Sequence, residues 1–178
     1  MLKLTLVLVL GGLLIIGGIL AIAATRPDHF RVQRSATIQA PPDRIYPLIN
    51  DLRSFNTWNP YEKKDPNVVG AYSGPSSGAG AAYAFTGNKE VGKGTIRITS
   101  AKPAESVRMD LVLLEPFPCD NRVEFRLEPQ GSATKVTWAL EGKAPLLAKV
   151  VHLFLDMDAM VGKDFEAGLA GLKKIAEA

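Results

Sequence analysis

A carboxylate placed among apolar helical positions is the feature of this chain most suited to chemistry. Asp158 lies in the run from Pro145 to Ala178. There Leu147, Val150, Val151, Phe154, Val161, Phe165, Leu169 and Leu172 recur at three- and four-residue steps, the spacing of one stripe on a helix. At about 100° per residue, Asp158 sits roughly 40° from Phe154, inside that stripe, whereas Asp156 and Asp164 fall outside it. A carboxylate facing a core needs a partner or a wet cavity. Paired with a sheet cation such as Arg97 or Arg108, it is a structural ion pair. Facing a cavity, it is a polar handle for a ligand; with its pKa raised by burial, it would be a general acid or base. Trp58 poses a similar choice between plugging the end of a sheet and lining a pocket mouth, and packing is the simpler reading.

Other residues with chemical potential lack partners. The chain has two histidines, His29 and His152, and one cysteine, Cys119. They are too few and too scattered for a metal-ligand cluster or an intrachain disulfide. Gly87-Asn88-Lys89-Glu90-Val91-Gly92-Lys93-Gly94 nearly spells a phosphate-binding loop. It lacks the closing Ser or Thr and lies between two strand patterns rather than between a strand and a helix, so it reads as a hairpin turn. Asp156-Met157-Asp158 lacks the spaced oxygens and glycine of a calcium loop. No G-x-S-x-G elbow is present, and no catalytic residue, metal or cofactor is assigned.

These residues must be held by elements that the pattern lays out. Phe30 to Gln39 is rich in β-branched residues and reads as a first strand, broken by Ala40-Pro41-Pro42. Pro42 to Asp51 has helical spacing, and Ser54 can cap a second short helix toward Trp58. Six strands follow. Val68 to Tyr72, Ala81 to Thr86 and Thr95 to Thr99 come first. Next are strands centred on Val107–Leu113, Val123–Leu127 and Val136–Leu140, separated by turn residues. The order is a strand, two short helices, a meander of six strands and one long helix from Pro145.

Composition narrows the partners. Of 178 residues, 47% are hydrophobic and 22% charged, which is globular. Net charge is +3, and beyond residue 25 it is +2, from 20 Lys plus Arg against 18 Asp plus Glu. No block of basic residues supports nucleic-acid binding. Residues 4–24 carry no charge, and 21 such residues can cross a bilayer as a helix, whereas a secretory signal has a shorter apolar core. Ala21-Ile22-Ala23 does have the form of a cleavage site. The division is residues 1–25 as a transmembrane anchor or signal segment and 26–178 as a domain. Arg26, Arg31 and Arg34 beyond the anchor, against Lys3 before it, mildly favour a single-pass protein with its domain in the cytoplasm.

Several stretches resemble one family. They are Phe55-Asn56-Thr57-Trp58-Asn59-Pro60-Tyr61 with Asp65-Pro66, then Tyr72-Ser73-Gly74-Pro75, Gly87-Asn88, and Asp156-Met157-Asp158 with Gly162 to Leu169. Together they are similar to the SRPBCC superfamily, in its polyketide cyclase/dehydrase and lipid-transport branch, across Phe30 to Ala178. The resemblance implies an α+β START-like helix-grip fold, a curved antiparallel sheet wrapped around a long C-terminal helix and enclosing a hydrophobic cavity. It also implies a small hydrophobic or amphipathic ligand. The members include lipid and steroid carriers, aromatic cyclases and co-chaperone-like modules, so a cyclase or dehydratase and a protein-interaction module are the alternatives. Residues expected to line the cavity are Trp58, Tyr83, Phe85, Trp138, Phe154, Asp158 and Val161. A membrane partner is expected through residues 4–24, no nucleic acid is expected, and protein partners are unassigned.

Overall fold

Alternation makes the sheet. In β4 (Lys93–Lys102), β5 (Ser106–Glu115), β6 (Cys119–Gln130) and β7 (Ala133–Lys143) apolar residues recur at every second position over the middle of each strand. Those residues turn to one face, where Ile98, Met109, Phe125 and Trp138 are buried. With β1 (His29–Ile38), β2 (Val69–Ser73) and β3 (Ala82–Thr86), these strands form one seven-stranded antiparallel sheet in the order β1-β7-β6-β5-β4-β3-β2. Strands β2 to β7 run as hairpins, and β1 reaches across to pair with β7. The computed structural model describes residues 2–178, with the side chains of 2–4, 6, 7 and 9 outside that description.

Two short helices separate β1 from β2. Helix α2 (Pro42–Asn50) buries Ile45 and Ile49. Helix α3 (Leu52–Trp58) is capped by Asp51, whose carboxylate accepts from the Arg53 amide at 2.8 Å. The cap is therefore Asp51 rather than the expected Ser54; the helix starts three residues sooner, and a cap must precede its first turn. A 3-10 turn (Pro60–Lys63) follows, capped by Asn59. Residues 87–92 form the hairpin loop between β3 and β4, with Lys93 and Gly94 already in β4; in it Asn88 accepts from the Glu90 and Val91 amides and Asp65 from that of Asn88.

The expected single helix from Pro145 to Ala178 is two. Helix α4 (Leu146–Phe154) stops at Leu155, which is extended at φ −118° and ψ 124°. Helix α5 (Met157–Ala176) starts afresh, with Asp156 accepting from the Ala159 amide at 2.9 Å. Asp is a strong cap because its side chain satisfies an amide that the helix leaves open. The break resets the rotational phase, so a stripe counted across it does not hold. Phe165, Leu169 and Leu172 are buried against the sheet, and Val161 is half-buried at the edge of the core. Phe154 is 70% exposed and does not face the sheet, a correction to the sequence reading.

Helix α1 (Leu2–Ala24) precedes β1. The expected span of residues 4–24 lies within it, with side chains 4, 6, 7 and 9 outside the described residues. Among the described residues no helix is long and apolar enough to cross a membrane.

Candidate functional site

Cross-strand pairing aligns the inner face of the sheet in rows. Paired residues of an antiparallel ladder share a face. One row runs Phe30–Gly142–Asn121–Leu111–Ile96–Tyr83, strand to strand from β1 to β3. The row below it, toward the far end, includes Val32, Leu140, Val123 and Met109, all buried. The row above it, nearest the β5–β6 turn, holds Phe85, Gly94, Leu113 and Cys119. Burial falls along this direction. Phe30, Leu111, Asn121, Leu113, Cys119 and Phe85 are only half-buried, and Val161 of α5 is half-buried at the core edge. The concave face is sealed at its middle and is less buried toward the end carrying the β5–β6 turn, its open end, where Ile96, Tyr83 and Gly142 of the first row nonetheless stay buried.

Aromatic rings make the seal. Trp138 stacks on Phe165 with centroids 4.1 Å apart and planes 8° from parallel. Phe125 lies 4.9 Å from Trp138, and Trp58 and Phe55 meet it edge-on at 5.7 and 6.2 Å. Gly168 lets α5 come down on this cluster, since a Cβ there would meet Trp138 Cζ3 at 2.6 Å. Trp58 also donates its indole N–H to the Leu48 carbonyl at 2.8 Å. Trp58 and Trp138 are therefore core residues, at 1% and 3% exposure. The packing reading of Trp58 holds, and the space expected between helix and sheet is filled at this level. Two clefts lie elsewhere. One of about 220 Å3 runs along Leu52, Arg53, Tyr72 and the Ser73–Ser76 turn; it is below the usual size of a small-molecule site.

Asp158 is not in the core. Its side chain is 61% exposed and accepts from Arg34 Nη2 at 2.8 Å and Nη1 at 3.1 Å, while Arg34 Nε reaches Glu166 at 2.9 Å. The partner is thus Arg34 of β1, not the expected Arg97 or Arg108, because α5 packs against the β1 edge of the sheet. Gly162 sits between the two carboxylates, and a Cβ there would overlap the Arg34 guanidinium. The hydrogen bond from Arg34 holds the Asp158 carboxyl below its usual range. That is the opposite of the raised pKa that a general acid would need, so acid–base work by Asp158 is not supported. The Lys149 ammonium, by its hydrogen bond, likewise lowers the pKa of Asp28. A folded-state pKa below the unfolded one adds stability that is complete above the unfolded value and is lost as pH falls through the folded one. The Arg34→Met variant is therefore expected to unfold at milder acidity than the unmutated chain but to show a smaller further loss below about pH 4. Equal acid slopes in circular dichroism titrations would refute the coupling.

Polar groups at the open end are few. Asn121 Nδ2 lies 3.4 Å from Cys119 Sγ, and burial pushes the Cys119 thiol up, keeping it neutral. At the β3 side, burial raises both Tyr83 and Glu62, which hydrogen-bond each other. Tyr72 lies over Tyr83 with ring centroids 4.6 Å apart, and Arg53 lies over Tyr72 at 4.2 Å. Such an end can take up an apolar body and orient it through Asn121 and the Tyr83–Glu62 pair. Among the described residues no group of three His, Cys, Asp or Glu could hold a metal ion.

Of the expected lining residues, Phe85, Tyr83 and Val161 border the open end, Trp58 and Trp138 form its sealed floor, and Phe154 and Asp158 lie outside it. Sequence reasoning missed Phe30, Leu111, Leu113 and Asn121. Their signal was present: Leu111 and Leu113 continue the alternation of Val107 and Met109. Glycines opposite large residues were a second signal. A Cβ at Gly94 would press Leu113 and Phe85 at 3.1 Å, and one at Gly142 would overlap Phe30 and Asn121.

A family model described as polyketide cyclase/dehydrase and lipid transport matches residues 29–177. A search of curated protein sequences finds no match. Among solved structures, protein CV1439 from Chromobacterium violaceum is similar at 18% identity and a TM-score of 0.59, over 86% of this chain and 99% of that one. The Aha1 dimer from Colwellia psychrerythraea is similar at 18% identity and a TM-score of 0.59, over 83% and 96%. TTHA0849 from Thermus thermophilus is similar at 17% identity and a TM-score of 0.58, over 83% and 97%. At these identities the likeness speaks for the fold, a curved antiparallel sheet gripping a C-terminal helix.

Proposed function

Because this chain belongs to the polyketide cyclase/dehydrase and lipid transport family, we propose that it is a membrane-tethered binding domain for a small hydrophobic or amphipathic molecule. The ligand would enter the open end of the concave face, between the Phe30–Tyr83 row and the start of α5. The observation that carries this reading is the burial gradient along the inner face, from the sealed Trp138 level to half-buried Leu111, Leu113 and Phe85. Covering that apolar surface yields roughly 25 cal/mol per Å2, and Asn121 and the Tyr83–Glu62 pair would orient the guest. The tether is argued from the sequence: residues 4–24 are uncharged, and about 20 apolar residues suffice for a spanning helix. Arg26, Arg31 and Arg34 after that run favour a cytoplasmic domain.

The test is native mass spectrometry of the full chain released from detergent, with lipid extraction and a panel of fatty acids, sterols and aromatic polyketide-like compounds. At least one apolar class is expected to co-purify or to bind saturably. No adduct across the whole panel would refute the carrier reading and leave the fold untouched.

A further inference from the structure

Helix α4 is inside out. Its charged residue, Lys149, is buried and ties to Asp28 at 2.6 Å, and its His152 meets the Phe30 ring edge-on at 5.8 Å. Leu147, Val151 and Phe154, at steps of four and three, point outward at 74%, 40% and 70% exposure. An amphipathic helix on a domain surface normally does the reverse. Outside α1, twelve large apolar side chains are exposed among the described residues. Nine belong to two segments, residues 112–117 of the β5–β6 hairpin and residues 146–160. The pairing of Asn121 with Gly142 puts the turn before β6 and the start of α4 beyond the same end of the sheet. The pairing of His29 with Lys143 brings the exit of α1 there too.

We infer that the outward stripe of α4 and the tip of the β5–β6 hairpin, Leu114 and Phe117, form a surface that lies in the headgroup–acyl boundary of a phospholipid bilayer. This rests on the tether reading above. A bilayer is favoured over a second copy of the chain by continuity. Helix α1 packs on α4 and itself exposes Leu13, Leu14, Ile15 and Ile16 at 56–78%, so the outward stripe of α4 adjoins a helix that is itself apolar and exposed. Interfacial helices bury such a face about 5–10 Å into the boundary. The charges around this end have both signs, with exposed Arg26 and Lys143 beside Glu115 and Asp120. Contact is thus driven by apolar area rather than by anionic lipid. The half-buried row of Leu113 and Cys119 adjoins this tip, so the open end of the concave face meets the bilayer, and an apolar guest drawn from lipid would not cross water.

The test uses the full chain reconstituted in phosphatidylcholine vesicles carrying lipids brominated near the headgroup, with Phe154→Trp, Phe117→Trp and, at the opposite end in the β4–β5 turn, Glu105→Trp. The native Trp58 and Trp138 are buried and give a constant background. The added emission of the first two variants is expected to fall by about half or more, the depth response of an interfacial residue, and that of Glu105→Trp to stay unchanged. Chains that float with the vesicles yet show no quenching at 154 and 117 would overturn the docking surface alone. Chain–chain cross-linking through Phe154→Cys with no quenching would hand the face to a second copy and overturn it as well. Failure to float would overturn the tether and this surface together.

Discussion

Replacing Trp138 with alanine is expected to cost about 3–5 kcal/mol, the range for removing a large buried aromatic. The indole is 3% exposed and stacks on Phe165, so the variant loses both transfer free energy and a favourable ring pair. Its neighbours cannot close the gap. Phe125, Trp58 and Phe55 are braced against one another, and α5 already approaches as closely as Gly168 allows. A loss of this size is a large share of the roughly 5–15 kcal/mol that holds an ordinary domain together. Urea unfolding followed by far-ultraviolet circular dichroism reads it. Trp138→Phe keeps most of the stack and removes an indole N–H that meets no protein acceptor; it is expected to cost less than about 1.5 kcal/mol. A Trp138→Ala loss below about 1 kcal/mol would mean that the ring is not wedged, and the sealed middle of the concave face would have to be redrawn.

The second large effect falls on binding. Leu113→Glu places a carboxylate in the half-buried row beside Gly94 and Cys119. There it must keep its water or take up a proton, and either removes apolar surface from the guest. Ligand affinity is expected to fall by about tenfold or more, equal to at least about 1.4 kcal/mol. The unfolding midpoint should move little, because Leu113 is near the open rim rather than in the core. Isothermal titration with the ligand found by mass spectrometry, set beside Asp158→Asn as a control outside the open end, decides the matter. Unchanged affinity in Leu113→Glu would place the guest elsewhere, and lost affinity in Asp158→Asn would return that carboxylate to the site.

Both expectations depend on features of different legibility. Strand alternation is local, so Val107, Met109 and Leu111 announced their common face, and seven strands could be counted from the sequence. Family motifs from Phe55 to Leu169 carried the fold. The course of the last helix was not legible, because its periodicity continues across Leu155 while the helix does not. Asp156 read as a polar residue outside the stripe of one continuous helix, whereas in the structure it caps a new one. That one break turned Phe154 outward and brought Asp158 to Arg34.

By itself, the sequence determined the family, the order of elements, the two-faced strands and the apolar segment at the start, all of which follow from residue type and short-range spacing. Tertiary structure alone decided at which end the concave face is less buried, which arginine meets Asp158, and that α4 turns its apolar stripe outward. Those outcomes depend on contacts between residues far apart in the chain, such as Trp138 with Phe165, Arg34 with Asp158 and Asp28 with Lys149. Periodicity reports which face of an element is apolar; it carries no information about what will stand opposite.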